Sequence, residues 1–260
     1  MDFAPAHDVE TLPFDGPLFS VCSLVTSDTQ YQRMLTSFDA HGFNAENSEF
    51  ILVDNRTRNV HEAYAGLNAM LARASGRYIV CCHQDVELIG DGAVELQARL
   101  EALTKLDPRW AVAGNSGFGQ QGRAARISDP YGDDQNEGSL PSLVFSLDEN
   151  LLILNAEKRI GFSADLAGFH LYGTDICMQA ELQGLTAYVI DFHLRHHSRG
   201  KVDAGYFECL RGFEAKYGKA FRSRRMRTSV KTAYVTSSAW QAFWWTMKKR
   251  RRERLLRRRT

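Results

Sequence analysis

No stretch of this sequence is apolar for the roughly 20 residues that a helix needs to cross a bilayer, which argues against a membrane-spanning protein. The acidic opening MDFAPAHDVE lacks the basic and apolar parts of a secretory signal, so a cytoplasmic location is expected. Cysteine is sparse and badly spaced for a scaffold. Cys22, Cys81, Cys82, Cys177 and Cys209 form no CxxC pair, and their odd number fits buried thiols in a reducing compartment. With only six prolines and 20 glycines the chain is far from a disordered composition. GFGQQG (117–122) matches GxGxxG after the 110–114 strand but opens no helix, and neither GxxxxGK[ST] nor GxSxG occurs. Those absences leave a Rossmann dinucleotide site, a P-loop and a hydrolase nucleophile elbow unsupported. Metal chemistry through oxygen ligands is favoured over covalent catalysis.

What is present is a strong asymmetry of charge. The net charge of the 260 residues is only +1, yet Arg211 to Thr260 hold 17 Lys/Arg against Glu214 and Glu253. The segment is therefore +15 and the remainder −14, an acidic body with a basic tail.

The body reads as alternating strands and helices. LFSVCSLVT (18–26) is nearly apolar throughout, as a buried parallel strand should be. A helix follows from near Asp28, with Tyr31, Met34, Leu35 and Phe38 on one face and Gly42 as its stop. EFILV (49–53) is the second strand, emptying into Asp54-Asn55-Arg56. The next helix has Asn59 as expected cap with Glu62 in the capping-box relation, and Gly76 in the left-handed position at its end. YIVCC (78–82) breaks into His83-Gln84-Asp85. A helix over 92–106, a strand over 110–114, a polar stretch over 115–139 suited to a binding loop or disorder, and segments at 143–147 and 151–154 follow. Gly173 or Thr174 precedes a helix running to Gly184, 187–190 is a short strand, and the chain is helical beyond Gly205. This order predicts an α/β fold with a mainly parallel sheet covered on both faces, whose ligands sit beyond the carboxyl ends of the strands.

The candidate residues gather at such ends. Asp85 beside His83 suits a divalent cation, Mn²⁺ or Mg²⁺, that neutralises a diphosphate, or else caps the helix near Asp91. Asp54 suits a base or ribose, while Asn55 suits an Asx turn equally well. Asp175 in the first turn of a helix is either a dipole partner or a rigid, ionised general base. Asp148-Glu149 is another carboxylate pair at an element boundary. In DFHLRHHSRG, His196 and His197 suit a cation site with Asp85, Arg195 and Arg199 suit phosphate, and a solvated basic loop accounts for the segment as well.

SVCSLVT, FILVDNR, ASGRYIVCCHQDVEL, SLDENLLI and GFHLYGTDICMQAELQG followed by HHSRG, in this order over roughly 18–200, resemble a family 2-type glycosyltransferase of the GT-A fold. The nearest likeness is to the streptomycin-biosynthesis StrF-like group. The resemblance implies a GT-A-like nucleotide-binding sheet in 18–204, with a donor-nucleotide half (18–114) and an acceptor half (115–204). A loose lead-in (1–17) precedes it, and a helical basic extension (205–260) follows. It implies a nucleotide-sugar donor held by Thr26, Asp54, Asn55, His83, Gln84 and Arg199. Asp85 matches the last acid of a metal-binding DxD motif, with His196 or His197 completing the metal site. Asp175 matches the base of inverting members. His83 replaces the usual first acid of DxD, and Thr174 replaces the glutamate of the acceptor-side ED pair. The acceptor is an unknown hydroxyl, saccharide or lipid-linked. A non-catalytic scaffold of the same fold and a sugar-nucleotide pyrophosphorylase are the rival readings.

The tail, WQAFWWTMKKRRRERLLRRR, places Trp240, Phe243, Trp244 and Met247 on one helical face beside nine basic residues. It suits an anionic membrane surface, docking within the protein or onto another subunit, or nucleic acid, in that order; sequence-specific DNA binding is not expected.

Overall fold

Alternate side chains of the first strand set the layering. In β1 (Phe19–Val25), Phe19, Val21 and Val25 enter one hydrophobic core and Cys22 enters another, so the strand is buried on both faces. The computed structural model describes residues 15–200, 202–227 and 232–257. Most of the expected lead-in, residues 1–14, lies outside the described residues.

α1 (Asp28–Ala40) buries Tyr31, Met34 and Phe38 and ends at Gly42, whose φ of +85° places it in the left-handed region that glycine adopts without cost. β2 (Ser48–Asp54) follows, and then α2 (Ala63–Leu71). The expected cap of α2 is corrected: Asn59 lies outside the helix, and Glu62 occupies the cap position without a capping bond. Its carboxylate instead accepts the Gly168 N–H (2.8 Å), whose carbonyl in turn accepts the Ala63 N–H (3.1 Å). Gly76 is not left-handed either. It is glycine because a Cβ there would lie 2.4 Å from the Ser20 backbone nitrogen.

β3 (Tyr78–Cys82) and β5 (Trp110–Gly114) match expectation, separated by the short β4 (Val86–Leu88) and by α3 (Ala93–Leu106). Leu96, Leu100 and Leu103 of α3 pack with the α1 side chains over one face of the sheet. Tyr64, Leu67 and Met70 of α2 pack over the other face.

The stretch at 115–139 is neither loop nor disorder. It forms β6 (Ser116–Gly119), β7 (Gly122–Asp129) and β8 (Gly132–Glu137), an antiparallel meander. Its polar composition belongs to the solvent side of a half-buried sheet: Ala124, Ala125 and Ile127 are buried, while Arg123 pairs with Glu137 and Arg126 with Asp134 across to the exposed β8. Two short strands, β9 (Ser142–Val144) and β10 (Ser146–Leu147), precede β11 (Leu151–Asn155). α4 (Tyr172–Leu182), β12 (Thr186–Val189) and β13 (Leu194–His196) complete this part.

The principal sheet has the order β2-β1-β3-β11-β5-β12-β9. β11 runs antiparallel between β3 and β5, so the sheet is mixed. The second sheet, β10-β6-β7-β13-β4 with β8 on β7, sets β13 beside β4. The carboxyl ends of β1, β2 and β3 and the beginning of β11 therefore share one edge. β4, which follows β3 after three residues, ties that edge to β13.

The chain divides into two compact units, one ending at Cys209 and the other starting at Leu210. α5 (Ala204–Ala220) runs through this boundary; it is followed by β14 (Arg224–Arg227), β15 (Thr232–Val235) and α6 (Ala239–Arg257). The β14–β15 hairpin was not expected in a helical extension.

Candidate metal and donor site

His83, Gln84 and Asp85 occupy the turn between β3 and β4, and the strand pairing of β4 with β13 brings His196 opposite Val86. The His197 N–H donates to the Asp85 carbonyl (3.1 Å), which closes the second strand onto the turn. Three ligand-bearing side chains converge there. His83 Nδ1 lies 3.1 Å from His196 Nε2, and Asp85 Oδ1 lies 3.5 Å from His196 Nε2 and 4.0 Å from His83 Nδ1. Three donor atoms each about 2.1 Å from one ion stand roughly 3 to 4 Å apart, so this separation fits a single divalent cation. Beside Asp85 and His196 the third candidate ligand is His83, where the sequence suggested His197. Imidazole favours a first-row transition metal over Mg²⁺.

The surrounding electrostatics suit such a group. Asp85 is buried. Its burial would raise the carboxyl, but hydrogen bonds from His196 and Ser198 and the nearby imidazoles outweigh it and hold Asp85 well below the usual carboxylate range. His83 is pushed down to about 4 by desolvation, with His196 adding to the effect, so the ring is neutral and able to ligate. Its other nitrogen, Nε2, lies 2.8 Å from the Tyr172 hydroxyl. With Nδ1 turned to a cation, Nε2–H donates to Tyr172, which can donate onward to the Glu149 carbonyl (3.4 Å). Partners of this kind fix a ligand's tautomer and orientation.

The remaining expected residues take other positions. His197 leaves the cluster and pairs with Glu87 (2.7 Å). His193 bonds Ser128 Oγ (2.9 Å), away from the three ligands. Gln84 is an anchor: its Oε1 accepts the N–H groups of Thr26 (2.8 Å) and Ser27 (2.9 Å), and its Nε2 donates to Thr26 Oγ1 (2.7 Å). Thus Gln84 ties the loop after β1 to the turn after β3. Asp54 is exposed and held by Arg56, whose hydrogen bonds draw the carboxyl down to about 2. Asn55 is buried and closes the 55–61 loop, accepting from Val60 and His61 N–H (2.8 and 3.2 Å) and donating to the His61 carbonyl (2.8 Å). Arg199 lies over the Tyr131 ring at 5.5 Å. Asp85 does not cap α3, where Glu95 accepts the Gly92 N–H instead (2.9 Å).

Asp175 is fully buried. Its carboxylate accepts the Ser163 N–H (2.8 Å) and Oγ–H (2.6 Å), which anchors the segment before α4 to the helix. Glu149 is the carboxyl with the opposite character. Desolvation, with Asp148 adding to it, pushes Glu149 up to about 8 although the Leu171, Tyr172 and Gly173 N–H groups stabilise its charge. The adjacent Asn150 accepts the His83 N–H through its carbonyl (3.1 Å), while both polar atoms of its buried side chain lack a protein partner. Sequence reasoning missed Tyr172 and Asn150 as site residues. Their only signal was membership of the segments SLDENLLI and GFHLYGTD.

A cavity of about 630 Å³ lies against β9 and α4, lined by residues such as Ser142, Phe145, Glu181 and Thr186. It adjoins the beginning of β12, at the sheet edge opposite the three ligands, and none of the expected site residues lines it.

No protein-family model matches the chain. Among solved structures, the chain resembles the mannosyltransferase PcManGT from Pyrobaculum calidifontis in complex with GDP-Man and Mn²⁺, with a TM-score of 0.51, 14% identity, and coverage of 80% of this chain and 68% of that one. S. aureus TarS 1-349 in complex with UDP-GlcNAc gives a TM-score of 0.49 and 12% identity over 71% of this chain and 59% of that one. The mixed sheet between helices is GT-A-like, as the sequence motifs implied. A protein of Fuscovulum blasticum, ATP synthase subunits region ORF 6, is 41% identical over 214 residues, covering 80% of this chain and 86% of its own length. The chain therefore belongs to the same family as that Fuscovulum blasticum protein.

Proposed function

We propose that this chain is a metal-dependent, inverting glycosyltransferase of the family 2 type, close to the StrF-like group, that uses a nucleotide-sugar donor. The observation that carries the reading is the His83–Asp85–His196 cluster at the strand-end edge of a GT-A-like sheet. A divalent cation, Mn²⁺ or Mg²⁺, supplies charge neutralisation for the diphosphate when bound. His83, Asp85 and His196 hold it, and Tyr172 orients His83. Thr26 and Asp54 stand at the ends of β1 and β2, where a nucleoside would lie, and Gln84 sets the Thr26 loop relative to the ligands.

Inversion in one displacement requires a base on the acceptor side, and the motif match assigns Asp175. For that work Ser163 must release its carboxylate. Asp175→Asn should then abolish turnover while donor binding survives, and Ser163→Ala should leave turnover largely intact. Equal losses in both variants, with lowered melting temperature, would make Asp175 a positioning residue. Its burial is also the observation that favours a second reading, a donor-binding protein of this fold without transfer.

The acceptor is a saccharide or lipid-linked hydroxyl, met by an acidic domain working at the cytoplasmic face of a membrane engaged through the C-terminal unit. Thermal unfolding with Mn²⁺ and a panel of nucleotide-sugars tests the donor reading, because a ligand of the native state must raise apparent stability. No shift with any donor would sink it.

A further inference from the structure

The C-terminal unit carries a surface that donor chemistry leaves unused. Trp240, Phe243, Trp244 and Met247 of α6 are 68, 56, 46 and 47% exposed. Spacings of three and four residues put them along one side of the helix, where a water-soluble helix would carry polar groups. The hairpin belongs to the same small structure: the Tyr234 and Trp245 rings lie 4.9 Å apart, and Thr236 Oγ1 donates to Gln241 Oε1 (3.0 Å). All four residues of β14, Arg-Arg-Met-Arg, are exposed. Arginines remote in sequence from the basic end of the chain are thereby joined to the helix that carries the apolar row.

We infer that this module binds the surface of an anionic bilayer. α6 lies in the plane of the interface with its Trp, Phe and Met side chains among the headgroups and upper acyl chains. Arg224, Arg225 and Arg227 pair with lipid phosphates. The inference supplies residues and lipid class for the membrane placement proposed above, and it rests on observations separate from the donor site. Indole rings favour this boundary, and arginine is the side chain best matched to phosphate geometry. Among the described residues no helix is long and apolar enough to cross a membrane, so the contact proposed is with the surface. A second copy of the module is a poor occupant, since it would bring one +15 segment against another. Single-stranded nucleic acid would satisfy the arginines and stack on the rings, but it offers no apolar medium for Met247.

The test uses the full chain and two vesicle preparations, phosphatidylcholine alone and phosphatidylcholine with about a third phosphatidylglycerol. The protein should sediment with the second at low salt, remain free of the first, and be released by high salt. Its tryptophan emission should shift to the blue on binding. Arg224→Gln/Arg225→Gln/Arg227→Gln should weaken partitioning roughly a hundredfold, at about one kcal/mol per arginine. Trp240→Ser/Trp244→Ser should remove the emission shift. Failure to sediment with anionic vesicles overturns the inference, as do equal binding to both vesicle types and wild-type binding by the variants. Binding to single-stranded RNA without vesicle binding overturns it too, as does a salt-sensitive oligomer that ignores vesicles. Stabilisation by Mn²⁺ and donor, measured on the same proteins, separates the two proposals. If it survives without vesicle binding, only the membrane inference fails; if it is absent while vesicles bind, only the donor reading fails.

Discussion

The strand-end edge of the first unit and the apolar side of α6 complete their interactions in opposite places. At the edge, charge is internal: Asp85 is buried between two imidazoles, and Asp175 is buried against Ser163. In the C-terminal unit, the arginines of β14 face solvent and the large apolar side chains of α6 stand exposed as well. A buried charge must find its partners within the fold, which fixes geometry. An exposed apolar row has its partners elsewhere, and contributes little to the stability of the unit that carries it. Site and surface are thus distinguished by where their interactions are completed.

Substitutions can break or sharpen this contrast. The largest effect is expected in the core beneath the site. Leu100→Ala should cost about 2–5 kcal/mol in urea unfolding, whereas Phe243→Ala should stay within about 0.5 kcal/mol. A comparable loss in both would mean that the α6 face is packed. At the ligands, Asp85→Asn or His196→Ala should weaken Mn²⁺ binding on the order of a hundredfold, while His197→Ala, which loses only the Glu87 pair, should leave it near wild type. Isothermal titration distinguishes them. Tyr172→Phe removes only the hydroxyl beside His83 and should weaken the ion about tenfold.

The smallest effect is a slope. Glu149 has a folded pKa raised to about 8, so its folded form retains a proton that the unfolded chain loses near 4.5. The associated stability is fully present below about pH 4.5 and is lost as pH rises through 8. Melting temperatures of wild type and Glu149→Gln should therefore diverge with rising pH, the variant gaining. Parallel curves would show that the carboxyl is adequately solvated.

Much of the fold was legible because its central strands are apolar throughout and end in polar turns. YIVCC followed by HQD marked β3 and the turn that ends it. Asp54, Asp85 and Asp175 were visible as acids at element ends, but spacing could not show what each touches. Asp54 meets Arg56, and Asp175 meets Ser163, a residue 12 positions away that no local pattern singles out. The second sheet stayed hidden because β8, Gly-Asp-Asp-Gln-Asn-Glu, is exposed and reads as loop by composition. His196 and His197 were indistinguishable neighbours until β13 was paired. Successive residues of a strand face opposite sides, so only one of two adjacent histidines can turn to Asp85. The caps at Asn59 and Gly76 failed for a related reason: a tertiary contact, to Gly168 in one case and to Ser20 in the other, took the place of the local motif.

Leu171 has φ of +66°, in the left-handed region that a leucine occupies at a cost of about 1–2 kcal/mol. It stands immediately before Tyr172, and Gly173 packs so closely that a Cβ would lie 2.3 Å from the Leu147 carbonyl oxygen. The first turn of α4 is therefore cocked, like a latch held shut against its own spring. Leu171→Gly should slacken the spring, with unchanged or higher melting temperature but weaker hold of Tyr172 on His83 and a looser ion. The chain would then be trading resilience at this one joint for accuracy in where the imidazole points.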